Sequence, residues 1–159
     1  KIVARRVERG LLVSDAIYVN GITLDRARYV LNSDQRAFGV RVRWRGSSTA
    51  NPLEYETISL YLQTGSTLDR PLSDMRTETA SGEWDTLCDG TFSTVLRTIS
   101  VAPKSGGWAD LVVREVTVDE AHEQGKSGCT RVRSERSIKH YKLIHNGTGY
   151  VVPEELSQD

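Results

Sequence analysis

Apolar and polar residues alternate along this chain with a period of two rather than 3.6, the signature of strands with one covered face. The firmest example runs from Phe38 to Arg45. There Phe38, Val40, Val42 and Trp44 fall on one side, and Gly39, Arg41, Arg43 and Arg45 on the other. This pattern predicts a half-buried strand whose apolar side faces the core and whose arginines face water. Tyr55 to Gln63 alternates likewise, with Ile58, Leu60 and Leu62 opposite Tyr55, Thr57, Ser59 and Tyr61, so both faces gain partial cover. Trp84 to Cys88, Thr91 to Val101 and Leu111 to Val118 continue the series, each rich in β-branched or aromatic residues.

Two Asn-Gly dipeptides lie between apolar runs, and each offers the positive φ angles of a tight hairpin turn. Asn20-Gly21 would join Leu11–Val19 to the residues from Ile22 onward, and Asn146-Gly147 would join Ser137–His145 to Thr148–Val152. Residues 24–31 stay ambiguous, because Leu24, Ala27, Val30 and Leu31 also fit one helical face after a Thr23 cap. The polar stretches Gly46–Leu53, Thr64–Gly82 and Asp119–Gly128 read as surface loops, and Ser105-Gly106-Gly107 as a turn. About eight short strands with regular turn signals predict an all-β chain. The expected architecture is a two-sheet antiparallel β-sandwich with at most one short helix, and a closed barrel is the alternative. Residues 1–159 form one domain in this reading, with 1–9 an extended arm or a processed amino end. The chain starts at Lys1 and Met75 is its only methionine, which predicts that an upstream piece has been removed.

Composition narrows the function classes. Lysine and arginine total 21, as do aspartate and glutamate, so no global field steers the protein to nucleic acid, which is not an expected partner. No run approaches the roughly 20 apolar residues that cross a bilayer, so no membrane span is expected.

Cys88 and Cys129 are the only cysteines, and neither belongs to a C-x-x-C pair. They fit one structural disulfide closing a loop worth roughly 4 kcal/mol by chain entropy. Two buried free thiols are the alternative. A disulfide would place the protein in an oxidising compartment, secreted or extracellular. The triplet Asn146-Gly147-Thr148 has the form of a glycosylation acceptor as well as a turn.

Candidate chemistry is sparse. Arg41, Arg43 and Arg45 would project from one face about 7 Å apart, a spacing that could bridge phosphates. Arg131, Arg133 and Arg136 would extend the patch if their strand lay beside it. Against this, Glu54 and Glu56 open the next strand and could pair with the arginines as an ordinary charged face. His122, His140 and His145 form no recognisable catalytic or zinc signature, and no nucleophile elbow or phosphate-binding loop occurs. No catalytic residue, metal site or cofactor is therefore assigned. Of the three tryptophans, Trp44 is expected in the core, while Trp84 and Trp108 adjoin loops and are candidates for an exposed binding platform.

The segment Leu96-Arg97-Thr98-Ile99-Ser100-Val101-Ala102-Pro103, followed by Leu111–Val118 and Cys129, resembles the carboxyl half of ToxA-like β-sandwich effectors of fungi. The dibasic Arg5-Arg6, the cysteine pair and the missing initiator methionine are similar to secreted effectors that lose a pro-segment. The resemblance covers about a third of the chain. It implies a non-enzymatic protein that binds host proteins. The leading expectation is thus a secreted β-sandwich acting on a protein partner through loops or a sheet edge. The alternatives are a structural subunit of a viral coat, phage tail or extracellular filament, with Ile2–Val7 pairing to a neighbour, and a carbohydrate-binding module.

Overall fold

The computed structural model describes residues 1–32, 35–105 and 107–157. Among these residues, seven antiparallel strands follow one another: β1 Ile17–Asn32, β2 Gln35–Gly46, β3 Leu53–Thr64, β4 Thr67–Trp84, β5 Gly90–Ser105, β6 Trp108–Gly125 and β7 Gly128–Leu143. A single-turn helix, α1 Glu154–Ser157, ends the described chain. Spatial order equals chain order, and a further pairing of Asn32 with Trp108 joins β1 to β6. Six strands therefore close into a barrel, with β7 an extra strand on β6.

The expected two-sheet sandwich is not formed. A sandwich needs connections that cross between sheets, whereas here every consecutive pair is a hairpin and the twisted sheet curls until β1 meets β6. Much of 64–82 and 119–128, expected as loop, is strand. Register shifts in the β3–β4 ladder break the two-residue rhythm, and polar residues occupy the solvated positions of long strands. Asn20-Gly21 makes no turn. It lies inside β1 at a bulge between Val19 and Gly21, and the ambiguous 24–31 segment continues as strand. Asn146-Gly147 does turn, with Gly147 at φ 103° and the Asn146 side-chain oxygen accepting the N–H groups of Thr148 and Gly149. Strand structure stops at Trp84, and Asp85–Asp89 form a turn in which the Asp85 carboxylate accepts from Leu87 and Cys88. Of the glycine turn, Gly106 lies outside the described residues.

The largest departure is one of facing. Arg41 pairs with Ile58, and Ile58 with Met75, so the three side chains share one side of the sheet; Ile58 and Met75 are wholly buried. The arginine side of β2 is the inner side, and Phe38, Val40, Val42 and Trp44 point outward. The core gathers Leu31, Ile58, Leu60, Leu72, Met75, Leu111 and Val113 at the end where β1 meets β6. The N-terminal segment runs along the outward residues: Glu8 accepts from Tyr61 at 2.7 Å, Arg5 bridges Thr67, and Leu11 and Leu12 line a recess together with Trp44 and Tyr55. The Trp44 Nε1 is buried without an acceptor among the described residues.

The C-terminal segment completes the wall. β4 and β5 pair only between Glu78–Trp84 and Gly90–Leu96, and then part. Into this fork fits the chain from Tyr150 to Leu156. The Tyr150 N–H donates to Pro71 and its hydroxyl to Ala109, Arg97 donates to the carbonyls of Arg76 and Glu155, and Leu156 is fully buried. Burial, with the nearby Asp110 charge, pushes the Tyr150 hydroxyl up to about 12.

Candidate binding site

Above the apolar base, the inside of the barrel is charged. Arg41 forms ion pairs with Asp25 at 2.7 Å and Glu56 at 2.5 Å, and Arg43 reaches the second Glu56 oxygen at 3.2 Å. Thr77 donates to the Glu56 carboxylate at 2.9 Å, and Asp25 also accepts from Tyr29 and from the Ala27 N–H. Gly39 makes this arrangement sterically feasible. A Cβ there would stand 2.9 Å from Asp25 Cβ and 3.0 Å from Ile58 Cδ1, so only hydrogen lets the carboxylate lie across β2. Burial acts to raise the carboxyls of Glu56 and Asp25. Hydrogen bonds outweigh it, from Arg41 and Thr77 at Glu56 and from Ala27 and Arg41 at Asp25, so both carboxyls sit below their usual range. A second buried pair, Arg97 with Glu115 at 2.8 Å, marks the fork of β4 and β5. Saturated in this way, the layer is a structural plug rather than a free anion site.

Farther out, the ladder brings Arg45 beside Glu54 at 3.2 Å, both half-exposed. This is the mouth of the barrel. An outer basin of about 580 Å³ is lined by Tyr18, Arg45, Leu53, Glu54, Trp84 and Phe92. A smaller recess of about 150 Å³, lined by Asn20, Arg43, Glu56 and Glu78, adjoins it through Glu54. The Trp84 indole N–H donates to the Thr49 carbonyl at 2.7 Å, and its ring lies 6.1 Å from Phe92. Phe92 in turn meets His122 edge-on at 5.5 Å. The Cys88–Cys129 disulfide ties the β4–β5 turn to the start of β7 at this same end, and Asp89 accepts the Gln124 N–H at 2.7 Å. The bridge is compatible with an extracellular location.

The sequence-derived candidates thus separate. Arg45 and Trp84 line one basin at the mouth, Arg43 lies just inside it, and Arg41 is committed to the internal network. Trp108 sits at the opposite end, stacked 3.8 Å from His145, so it shares no platform with Trp84. Arg131, Arg133 and Arg136 belong to β7, which pairs with β6 and not β2, and do not extend the arginine stripe. Asp25, Thr77, Tyr18 and Phe92 escaped the sequence reading. Gly39 inside the firmest strand was the available signal for Asp25, since a glycine there announces a close approach.

β7 is the other unusual surface. From Cys129 to His140 every residue is exposed, and no strand pairs with its outer edge among the described residues. Among the described residues, no helix is long and apolar enough to cross a membrane. The chain matches no protein-family model, and neither a curated protein nor a solved structure shows a significant similarity to it.

Proposed function

We propose that this chain is a non-catalytic binding protein that works outside reducing compartments and takes a protein partner along β7. The exposure of β7 on both faces, with its outer edge unpaired among the described residues, carries this reading. A long strand in that state presents a row of open N–H and C=O groups, the template that strand addition uses. Arg131 pairs with Glu120 at 2.5 Å and Arg133 with Glu135 at 3.8 Å, and Arg136 and Lys139 add positive charge, which disfavours unspecific pairing and selects an acidic partner segment. The disulfide supports secretion, and an effector-like role in a host draws its support from the resemblance of residues 96–103 and the segments that follow.

The test is capture from extracellular host extracts by the immobilised, oxidised protein, beside an Arg136→Glu/Lys139→Glu variant. The reading predicts a partner held by the wild type and released by the variant. Equal retention by both would refute it. Self-association of the pure protein at rising concentration, abolished by the same variant, would instead establish the filament or coat subunit.

A further inference from the structure

We propose that the basin at the barrel mouth binds a neutral carbohydrate, with a pyranose ring stacked on Trp84 and its hydroxyls met by Arg45 and Glu54. This site is independent of β7. Trp84 is fixed before any ligand arrives. Its N–H is bound to Thr49, Phe92 stands behind it, and two glycines make the space for this pair: a Cβ on Gly82 would fall 2.5 Å from the Phe92 ring, and one on Gly90 2.3 Å from Trp84 Cβ. A held aromatic ring gives a flat apolar surface at little entropic cost, which suits the C–H face of a sugar.

Across the basin, Arg45 and Glu54 lie 3.2 Å apart with each side chain about half exposed. The guanidinium supplies donors and the carboxylate acceptors, the complement that adjacent hydroxyls require. Their charges cancel. A phosphate or sulfate ester would be attracted by Arg45 but repelled by Glu54, and an amine the reverse, so an uncharged polyol fits both. The volume of about 580 Å³ lies in the range of small-molecule sites, and the open form leaves room for a chain to continue outward.

Isothermal titration calorimetry with neutral β-1,4-linked hexasaccharides of glucose, xylose, mannose and N-acetylglucosamine, and with a sulfated heparin hexasaccharide, tests the site. At least one neutral probe binds the wild type. Trp84→Ala then weakens binding by about tenfold or more, the loss of a large aromatic contact surface. Trp84→Phe, which keeps an aromatic ring but loses the bond to Thr49, binds between the wild type and Trp84→Ala, and Trp108→Phe leaves binding unchanged. If Trp84→Ala fails to fold, Glu54→Gln and Arg45→Met each weaken binding instead. The proposal is overturned if no neutral probe binds, if the sulfated probe binds more tightly than every neutral one, or if the folded Trp84→Ala, or both mouth-charge variants, bind as the wild type does.

Discussion

Arg41 stands directly opposite Ile58 across the β2–β3 ladder, so a guanidinium and a fully buried isoleucine share the inside of the barrel. The side chain does not lie free among apolar neighbours. It spans from Asp25 to Glu56 and leaves each with a partner. Removing one member takes a charged partner from the others, while Arg43 and Thr77 still hold Glu56, and Tyr29 and the Ala27 N–H still hold Asp25, so the cost is a part of that of breaking a buried pair outright. Arg41→Ala and Glu56→Ala should each lose about 2–3 kcal/mol in urea unfolding. In the double variant the losses should fall short of their sum by about 1–3 kcal/mol, the coupling energy of a shared network. Additive losses would mean that the two residues do not support one another.

The same network sets the acid limit of the fold. Folding lowers the carboxyls of Asp25 and Glu56 below their ordinary 3.8 and 4.5, so the unfolded chain takes up protons first. The stabilisation is complete above those values and disappears as pH falls through the lower folded ones. Melting temperature should therefore hold from neutral pH to about 5 and drop below it. Glu56→Gln should melt lower at pH 7 and lose less on acidification. At the alkaline end, Tyr150 keeps its proton up to about 12 when folded against 10 when unfolded, so stability falls as pH rises above 10. Tyr150→Phe should flatten that decline.

Glycines separate the tight positions from the loose ones. Gly39→Ala should cost about 1–3 kcal/mol, because its new methyl meets Asp25 and Ile58. Gly21→Ala meets nothing within 4 Å and its φ is not positive, so β1 should be unchanged or slightly firmer. Chemical denaturation of the two variants in parallel checks this ordering.

Strands could be read from the sequence where alternation was clean. β2, β3 and the middles of β5 and β6 follow from Phe38–Arg45, Tyr55–Gln63, Thr91–Val101 and Leu111–Val118. Facing could not, because both sides of β2 are unusual. Its apolar side shares a recess at Trp44 with Leu11 and Leu12 from a segment distant in sequence, and its charged side is neutralised by Asp25 and Glu56 on neighbouring strands. A rule that places arginine outward has no access to a partner supplied by tertiary structure. Barrel and sandwich were equally hard to tell apart, since the distinction rests on one pairing, Asn32 to Trp108, between residues far apart in the chain. At the mouth, Trp84 and Arg45 were legible as loop-adjacent aromatic and stripe end. Their shared basin was not, because it depends on the curl of the whole sheet.

The disulfide acts at the mouth and not at the base. Cys88→Ser with Cys129→Ser should lower stability by about 2–4 kcal/mol. Amide exchange in the double variant should accelerate in the Asp85–Asp89 turn and the first residues of β7, while the paired residues around Ile58 and Leu60 keep their relative protection. Uniform acceleration would show that the bridge supports the entire barrel.

Two adjacent residues on β1 decide which side of the sheet is inside. Leu24 is 69% exposed, while the Asp25 side chain is 13% exposed and bound to Arg41, Tyr29 and Ala27. The measurement is the unfolding free energy of Leu24→Ala beside Asp25→Ala at pH 7. An inward charged face predicts a loss within about 0.5 kcal/mol for the leucine and about 2 kcal/mol or more for the aspartate. The opposite order, a costly Leu24→Ala and a harmless Asp25→Ala, would contradict it.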